Sequence, residues 1–406
     1  MTDSGPDLKP DQKDMPNRAV RPVFLDNQST TPTDPRVVEA MLPFFTERFG
    51  NPHSTDHAYG WDAEEAVERA RGDLAALIGA SPREVVFTSG ATEANNLAIK
   101  GAARFRKAER PHVVTCATEH KCVLESCRQL EREGFRVDVL PVKADGLIDL
   151  DLLAEAVGEE TAIVTVMAVN NEIGVIQPLA EIAAICRAKG AYFHSDAAQA
   201  VGKIALDATA LGLDLLSISG HKFYGPKGIG ALFVRRRPRV RLEAMIDGGG
   251  QERGLRSGTL PTPLCVGLGA TARLAREELA DEEARISGLK ARLLEGITGR
   301  LDGVRLNGSA EARIAGNLNL AFEGVDAEAL MRAMPRLAVS TGSACTSTSV
   351  EPSYVLQALG LPETRSRASL RIGIGRFTTE AEVDLAIEEL VSKVTSLRAK
   401  GSAAAE

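Results

Sequence analysis

The sequence predicts an α/β fold: a large domain on a mainly parallel seven-stranded sheet, followed by a smaller α+β domain. Two observations carry this. Between Pro82 and Val234, apolar β-branched runs alternate with stretches of helical periodicity, and after about Asp281 that alternation gives way to a mixed pattern.

Taken in order, residues 63–79 read as a helix. The candidate strands follow at 85–89, 112–117, 136–142, 162–169, 192–196, 215–219 and 230–234. Several are nearly continuous in apolar or β-branched residues, as expected of strands covered on both faces. Stretches 92–107, 121–133 and 180–189 are long enough for crossover helices, and 270–300 is charged and helical. Beyond it, 317–322 and 369–374 read as strands, and 327–334 and 381–397 as helices. In the last of these Val383, Ile387, Leu390, Val391, Val394 and Leu397 share a face, and Thr379 with Glu382 forms a capping box. The expected organisation is a flexible lead (1–21), a large domain (22–280) whose first residues pack with the small domain, a small domain (281–398) and a flexible tail (399–406).

Composition narrows the function classes. The 406-residue chain carries 48 Lys and Arg against 55 Asp and Glu, a net charge of −7, which gives no bulk attraction to nucleic acid or to an anionic membrane. No apolar run suits a membrane span or a signal peptide. The six cysteines form no Cys-x-x-Cys pair and no metal-ligand spacing, so no metal is expected, and the sparse thiols suit a reducing cytoplasm.

Four segments carry chemistry. In Ser217-Ile218-Ser219-Gly220-His221-Lys222 a strand ends in a Gly-bounded turn that presents one lysine, a group able to form a Schiff base with a carbonyl cofactor. Asp196 closes the strand at 192–196, and Gln199 follows it. A carboxylate there suits the pyridine nitrogen of pyridoxal phosphate, which acts as an electron sink when protonated. Thr88-Ser89-Gly90-Ala91-Thr92-Glu93 joins a strand to a helix, a place where free N–H groups bind phosphate. A simple N-cap by Thr92 is equally compatible with that local sequence. Cys345 stands in Ser340-Thr341-Gly342-Ser343-Ala344-Cys345-Thr346-Ser347, a small polar run suited to an exposed loop, whereas the other five cysteines read as buried small apolar residues.

Together these segments resemble the cysteine desulfurases of the NifS/IscS-like group, within the pyridoxal phosphate-dependent class V aminotransferases of fold type I. The resemblance runs from about Phe24 to about Glu380 and includes Thr118-Glu119-His120-Lys121, Val169-Asn170-Asn171-Glu172, Arg256-Ser257-Gly258-Thr259 and Glu351-Pro352-Ser353-Tyr354. It implies that Lys222 carries the cofactor and moves the substrate α-proton, Asp196 pairs with the pyridine nitrogen, and Gln199 contacts the phenolic oxygen. His120 would stack on the ring and help move protons. Ala91, Thr92, Ser219 and His221 would surround the phosphate, and Thr259 would reach the phosphate of a second subunit in a homodimer. Arg371 would grip the substrate carboxylate, with Asn171 assisting both it and the cofactor. Cys345 would take sulfur from L-cysteine as a persulfide, leave L-alanine, and pass the sulfur to an acceptor such as an iron–sulfur scaffold, with tRNA or cofactor thiolation as further outlets.

Departures from the group are small at Ser29 and Cys122, where its members commonly have Ala. The chain ends without the scaffold-docking tail of housekeeping members, which leaves the acceptor open. Selenocysteine cleavage, transamination on the same fold and a docking-only protein are the competing readings. A docking-only protein would need none of Lys222, Asp196, His120, Arg371 and Cys345.

Overall fold

The structure is a computed structural model that describes residues 21–342 and 352–403. Its strands are β1 (Val23–Phe24), β2 (Val85–Thr88), β3 (His112–Cys116), β4 (Arg136–Leu140), β5 (Thr161–Thr165), β6 (Tyr192–Asp196), β7 (Leu215–Ser219), β8 (Gly230–Val234), β9 (Val304–Leu306), β10 (Asn317–Phe322), β11 (Leu337–Ala338) and β12 (Ser369–Gly373). The helices are α1 (Pro35–Met41), α2 (Pro43–Thr46), α3 (Ala58–Leu77), α4 (Ala91–Arg106), α5 (Lys121–Arg132), α6 (Leu150–Ala156), α7 (Leu179–Lys189), α8 (Thr262–Thr298), α9 (Ala327–Ala333), α10 (Tyr354–Ala358), α11 (Glu363–Arg367) and α12 (Glu380–Ala403).

Strands β2 to β8 form one seven-stranded sheet in the order β2-β8-β7-β6-β5-β3-β4. All seven expected strands are present, and β8 alone runs against its neighbours β7 and β2. Alternate residues of each strand feed two apolar layers. Phe87, Val164, Leu216 and Phe233 enter one, while Val86, Ile163, Leu215 and Leu232 enter the other with Leu97 and Ala98 of α4. Coverage of both faces explains the continuous apolar strands. It also leaves the carboxyl edge of the sheet as the place where the chain turns outward and polar side chains collect.

A second architecture follows. β9, β10 and β12 make a three-stranded antiparallel sheet, against which Leu289 and Leu293 of α8 and Val383 and Leu390 of α12 pack. Leu25, just after β1, joins the same core, and β1 pairs with β11, so the start of the chain is fastened to this unit. α8 runs through both architectures, crossing the expected boundary at 280–281 without a break. The capping box is present: Thr379 N–H donates to Glu382 Oε2 at 2.8 Å, and Glu382 N–H to Thr379 Oγ1 at 3.2 Å. α12 continues to Ala403, so residues 399–403, expected as tail, extend the helix; Gly401 is tolerated in a last, exposed turn. Among the described residues no helix is long and apolar enough to cross a membrane.

Candidate active site

Sequence-distant residues converge at the carboxyl edge of the large sheet. Asp196 ends β6 and is 4% exposed. Asn95 Nδ2 donates to its Oδ2 at 2.7 Å, and Ala198 N–H donates to its Oδ1 at 2.9 Å. These donors are neutral, so they hold the carboxylate without cancelling its charge.

Lys222 closes the short turn after β7. Its Nζ donates to the carbonyls of Gln28 at 2.8 Å and Ser29 at 2.7 Å, on the segment that follows β1. Gln199 Nε2 donates to the same Gln28 carbonyl at 2.8 Å, and its Oε1 accepts from Lys203 at 2.6 Å. His221 is fastened to the same segment through Thr30 Oγ1, 3.0 Å from its Nδ1. Burial and then the positive charge of Lys222 push the His221 imidazole down to about 4, so it is neutral near pH 7.

His120 is the N-cap of α5, its Nδ1 accepting from Cys122 N–H at 3.3 Å. Burial lowers its affinity for a proton; the Asp196 charge opposes that, and Lys222 and Lys121 reinforce it. Asp196 and Lys222 therefore both lie within electrostatic reach of His120.

The turn from β2 to α4 supplies Ala91 and Thr92 at a helix N-terminus, whose first N–H groups have no intrahelical acceptor. Gly230 lets this turn seat against β8: a Cβ there would lie 2.3 Å from the Ile218 carbonyl oxygen and 2.6 Å from Gly90 Cα. Ser219, buried at the end of β7, opens the turn that carries Lys222.

Arg371 lies in the middle of β12 and is buried. Its Nη1 donates to the Asn171 carbonyl at 3.0 Å and its Nη2 to Asp26 Oδ1 at 2.7 Å. Among the described residues, Arg371 Nε and Asn171 Oδ1 are buried without a partner. Arg371 also pairs through its backbone with Ser340, close to where the chain leads toward Cys345. Cys345 itself lies outside the described residues. Thr259 is exposed and is not brought to this cluster by any contact within the chain described here.

The class-V aminotransferase family matches residues 23–385. The cysteine desulfurase IscS of Rickettsia bellii is 56% identical over 382 residues, covering 94% of this chain and 93% of that protein. The chain belongs to the cysteine desulfurases of the class-V aminotransferase family. A solved NifS-like protein superimposes with a TM-score of 0.86 at 34% identity, covering 92% of this chain and 99% of the other. The NifS-like protein from Rickettsia africae gives 0.81 at 29% identity, with 92% and 99% covered. As a cysteine desulfurase the protein is a pyridoxal phosphate-dependent enzyme that converts L-cysteine to L-alanine and carries the sulfur as a persulfide.

The desulfurase cofactor fits what the site offers. Buried Asp196 offers a carboxylate for a pyridine nitrogen, Lys222 shares the electrostatic surroundings of His120 with it, α4 offers free N–H groups, and among the described residues Asn171 and Arg371 retain unpaired polar atoms. Sequence reasoning missed Asp26, Gln28, Asn95 and Lys203. Asp26 and Gln28 follow closely on Phe24, where the resemblance begins, and were given no role, and Asn95 lies one helical turn after Thr92, buried on α4. One expectation is corrected. Cys116, Cys127, Cys186 and Cys265 are buried as expected, but Cys122 is only half-buried, because its place in the first turn of α5 puts it at the site's edge.

Proposed function

We propose that the desulfurase reaction of this chain is carried by the residues gathered at the carboxyl edge, together with Arg371 and Cys345. When bound, pyridoxal phosphate supplies the electron sink that makes the α-proton of L-cysteine acidic and its sulfur transferable. Lys222 would hold it covalently, Asp196 its ring nitrogen, Gln199 its phenolic oxygen and His120 its face. Ala91, Thr92, Ser219 and His221 would surround the phosphate, with Asn171 near the ring.

Arg371 grips the carboxylate of L-cysteine, with Asn171 assisting. Lys222 Nζ takes the α-proton, and His120 serves a second proton transfer. The Cys345 thiolate attacks the substrate sulfur. A sulfur–sulfur bond forms, the substrate carbon–sulfur bond breaks, and the products are L-alanine and a Cys345 persulfide. The observation that supports this most is the convergence of Asp196, His120 and Lys222, with the Asp196 carboxylate held by the neutral donors Asn95 and Ala198.

The persulfide serves an acceptor protein in iron–sulfur cluster assembly, with tRNA or cofactor thiolation as further outlets, in the cytoplasm. Its division of labour is a large unit (22–280) for the cofactor and a small one (281–398) for the Cys345 segment, a split supported by the two separate cores. The working form is a homodimer. Leu42, Phe45, Phe49, Tyr59 and Trp61, each more than half exposed, supply an apolar face for a second copy, and exposed Thr259 is free to reach the partner's phosphate site.

The test is production of L-alanine and sulfide from L-cysteine, with reductant and pyridoxal phosphate, by the wild type and Cys345→Ser side by side. Equal amounts of both products from the wild type alone are expected. Equal activity in the two proteins would remove Cys345 from the mechanism and favour a simple lyase.

A further inference from the structure

Cys122 has no part in the reading above, yet its thiol lies between two groups that do. Asn95 Nδ2 donates to Asp196 Oδ2 at 2.7 Å and approaches Cys122 Sγ at 3.2 Å. An amide nitrogen has two hydrogens and no acceptor capacity, so one hydrogen serves the carboxylate and the other serves the sulfur. Cys122 Sγ in turn lies 3.0 Å from His120 Nδ1. The backbone N–H of Cys122 also points at that nitrogen, at 3.3 Å. A backbone N–H only donates, so Nδ1 is the acceptor and carries no proton. The sulfur already accepts from Asn95, which leaves its own hydrogen for Nδ1. Burial, followed by the negative charge of Asp196, pushes the Cys122 thiol up to about 12, so the S–H is intact throughout the working range.

We propose that Cys122 is a positioning residue for His120: the line Asp196–Asn95–Cys122–His120 holds the imidazole neutral, in the tautomer whose proton sits on Nε2, the nitrogen that α5 does not engage. This rests on the reading of His120 as a proton-transfer group, and makes it ready to donate from Nε2 at the start of each turnover. The groups that face His120 are Asp196 from β6, Lys222 from the turn after β7, Lys121 and Cys122 from α5, and neutral Asn95 from α4 through the sulfur. Asp196 favours a protonated imidazole and the two lysines oppose it. The S–H donor adds to the opposition, since an imidazolium has no lone pair at Nδ1 to receive it.

The experiment uses holoenzyme labelled with ¹⁵N-histidine, with His120 assigned by the signal lost in His120→Asn. Wild type, Cys122→Ala and Cys122→Ser are compared by the nitrogen shifts of His120 across a pH titration. In wild type, Nδ1 is expected to read as an unprotonated nitrogen and Nε2 as a protonated one. In Cys122→Ala the backbone N–H of residue 122 still keeps Nδ1 unprotonated, but the titration midpoint should rise by about half to one pH unit, with Cys122→Ser restoring it. The acid limb of the turnover profile should move in the same direction as the midpoint. An unchanged midpoint in Cys122→Ala overturns the proposal, as does a wild-type Nδ1 that carries the proton. The Ala variant is expected to fold, since Ala is common at this position in the group the chain resembles. The nitrogen shifts are read without turnover, so a failure of the desulfurase reading, seen as absent alanine and sulfide, is distinguishable from a failure here.

Discussion

Asp196 and Arg371 are both buried charged residues within the candidate site, but the protein treats their charges differently. At the sheet edge, Asp196 is held by the Asn95 amide and the Ala198 N–H, which fix its position and leave its charge in place. In the small sheet, Arg371 is already paired: Asp26 takes one guanidinium nitrogen and the Asn171 carbonyl another, while Nε has no partner among the described residues. A permanent partner suits the first arrangement, because an uncompensated buried charge is costly until it is met. A transient partner suits the second. Asp26 orders the guanidinium, and under the proposed reading its remaining donor capacity serves the carboxylate of L-cysteine.

The largest effect is expected at Asp196. Asp196→Ala removes the anion that the neutral donors hold, and turnover of L-cysteine should fall on the order of 10²–10³-fold. Cofactor retention through gel filtration, read by absorbance, should fall with it. Full retention and near wild-type turnover would show that the Asp196 charge is not used as argued, and the contrast with Arg371 would collapse.

A smaller effect of a different kind is expected across the site. Asp26→Asn keeps the shape but loses the charge that sets the guanidinium plane. KM for L-cysteine should rise about tenfold, equivalent to roughly 1.4 kcal/mol, with kcat changed little. Steady-state kinetics separate the two constants. A fall in KM would mean that Asp26 competes with the substrate for Arg371 rather than orienting it.

How much of this was legible in the sequence follows from the range of each interaction. Most of the seven strands announce themselves because a strand covered on both faces is apolar nearly throughout, a property local to four or five residues; β4, at the edge of the sheet, shows it least. The reversed direction of β8 is not local: it depends on which edge receives the strand, and nothing in Gly230–Val234 records that. Asp196, Lys222 and His120 were legible through short segments at strand ends. Asp26 was not, because its role is to touch a residue 345 positions away, nor was Asn95, whose carboxylate partner is 101 positions away. Cys122 was misjudged for a related reason. As a free cysteine it read as a buried small apolar residue by type alone, but His120 caps α5 at the site, and the first turn shares the cap's exposure.

A subtler consequence of the sheet side lies in its response to acid. His194, two residues before Asp196, is fully buried, with Thr165 Oγ1 2.7 Å from Nδ1 and Ser217 Oγ 2.9 Å from Nε2. Burial alone pushes its imidazole from 6.5 down to about 3. Between those values the unfolded chain binds a proton that the folded chain refuses, so protonation favours unfolding. The stability at stake is fully present above pH 6.5 and is lost as pH falls toward 3, by about 1.4 kcal/mol per pH unit. His221, also pushed down to about 4, acts with the same sign. Urea unfolding midpoints should therefore fall between pH 7 and pH 5, and His194→Gln, which keeps hydrogen-bonding capacity without a titrating ring, should flatten that fall. If the variant keeps the wild-type slope, the acid sensitivity arises elsewhere, and the buried hydrogen bonds of β6 hold Asp196 in place without making the strand a weak point in acid.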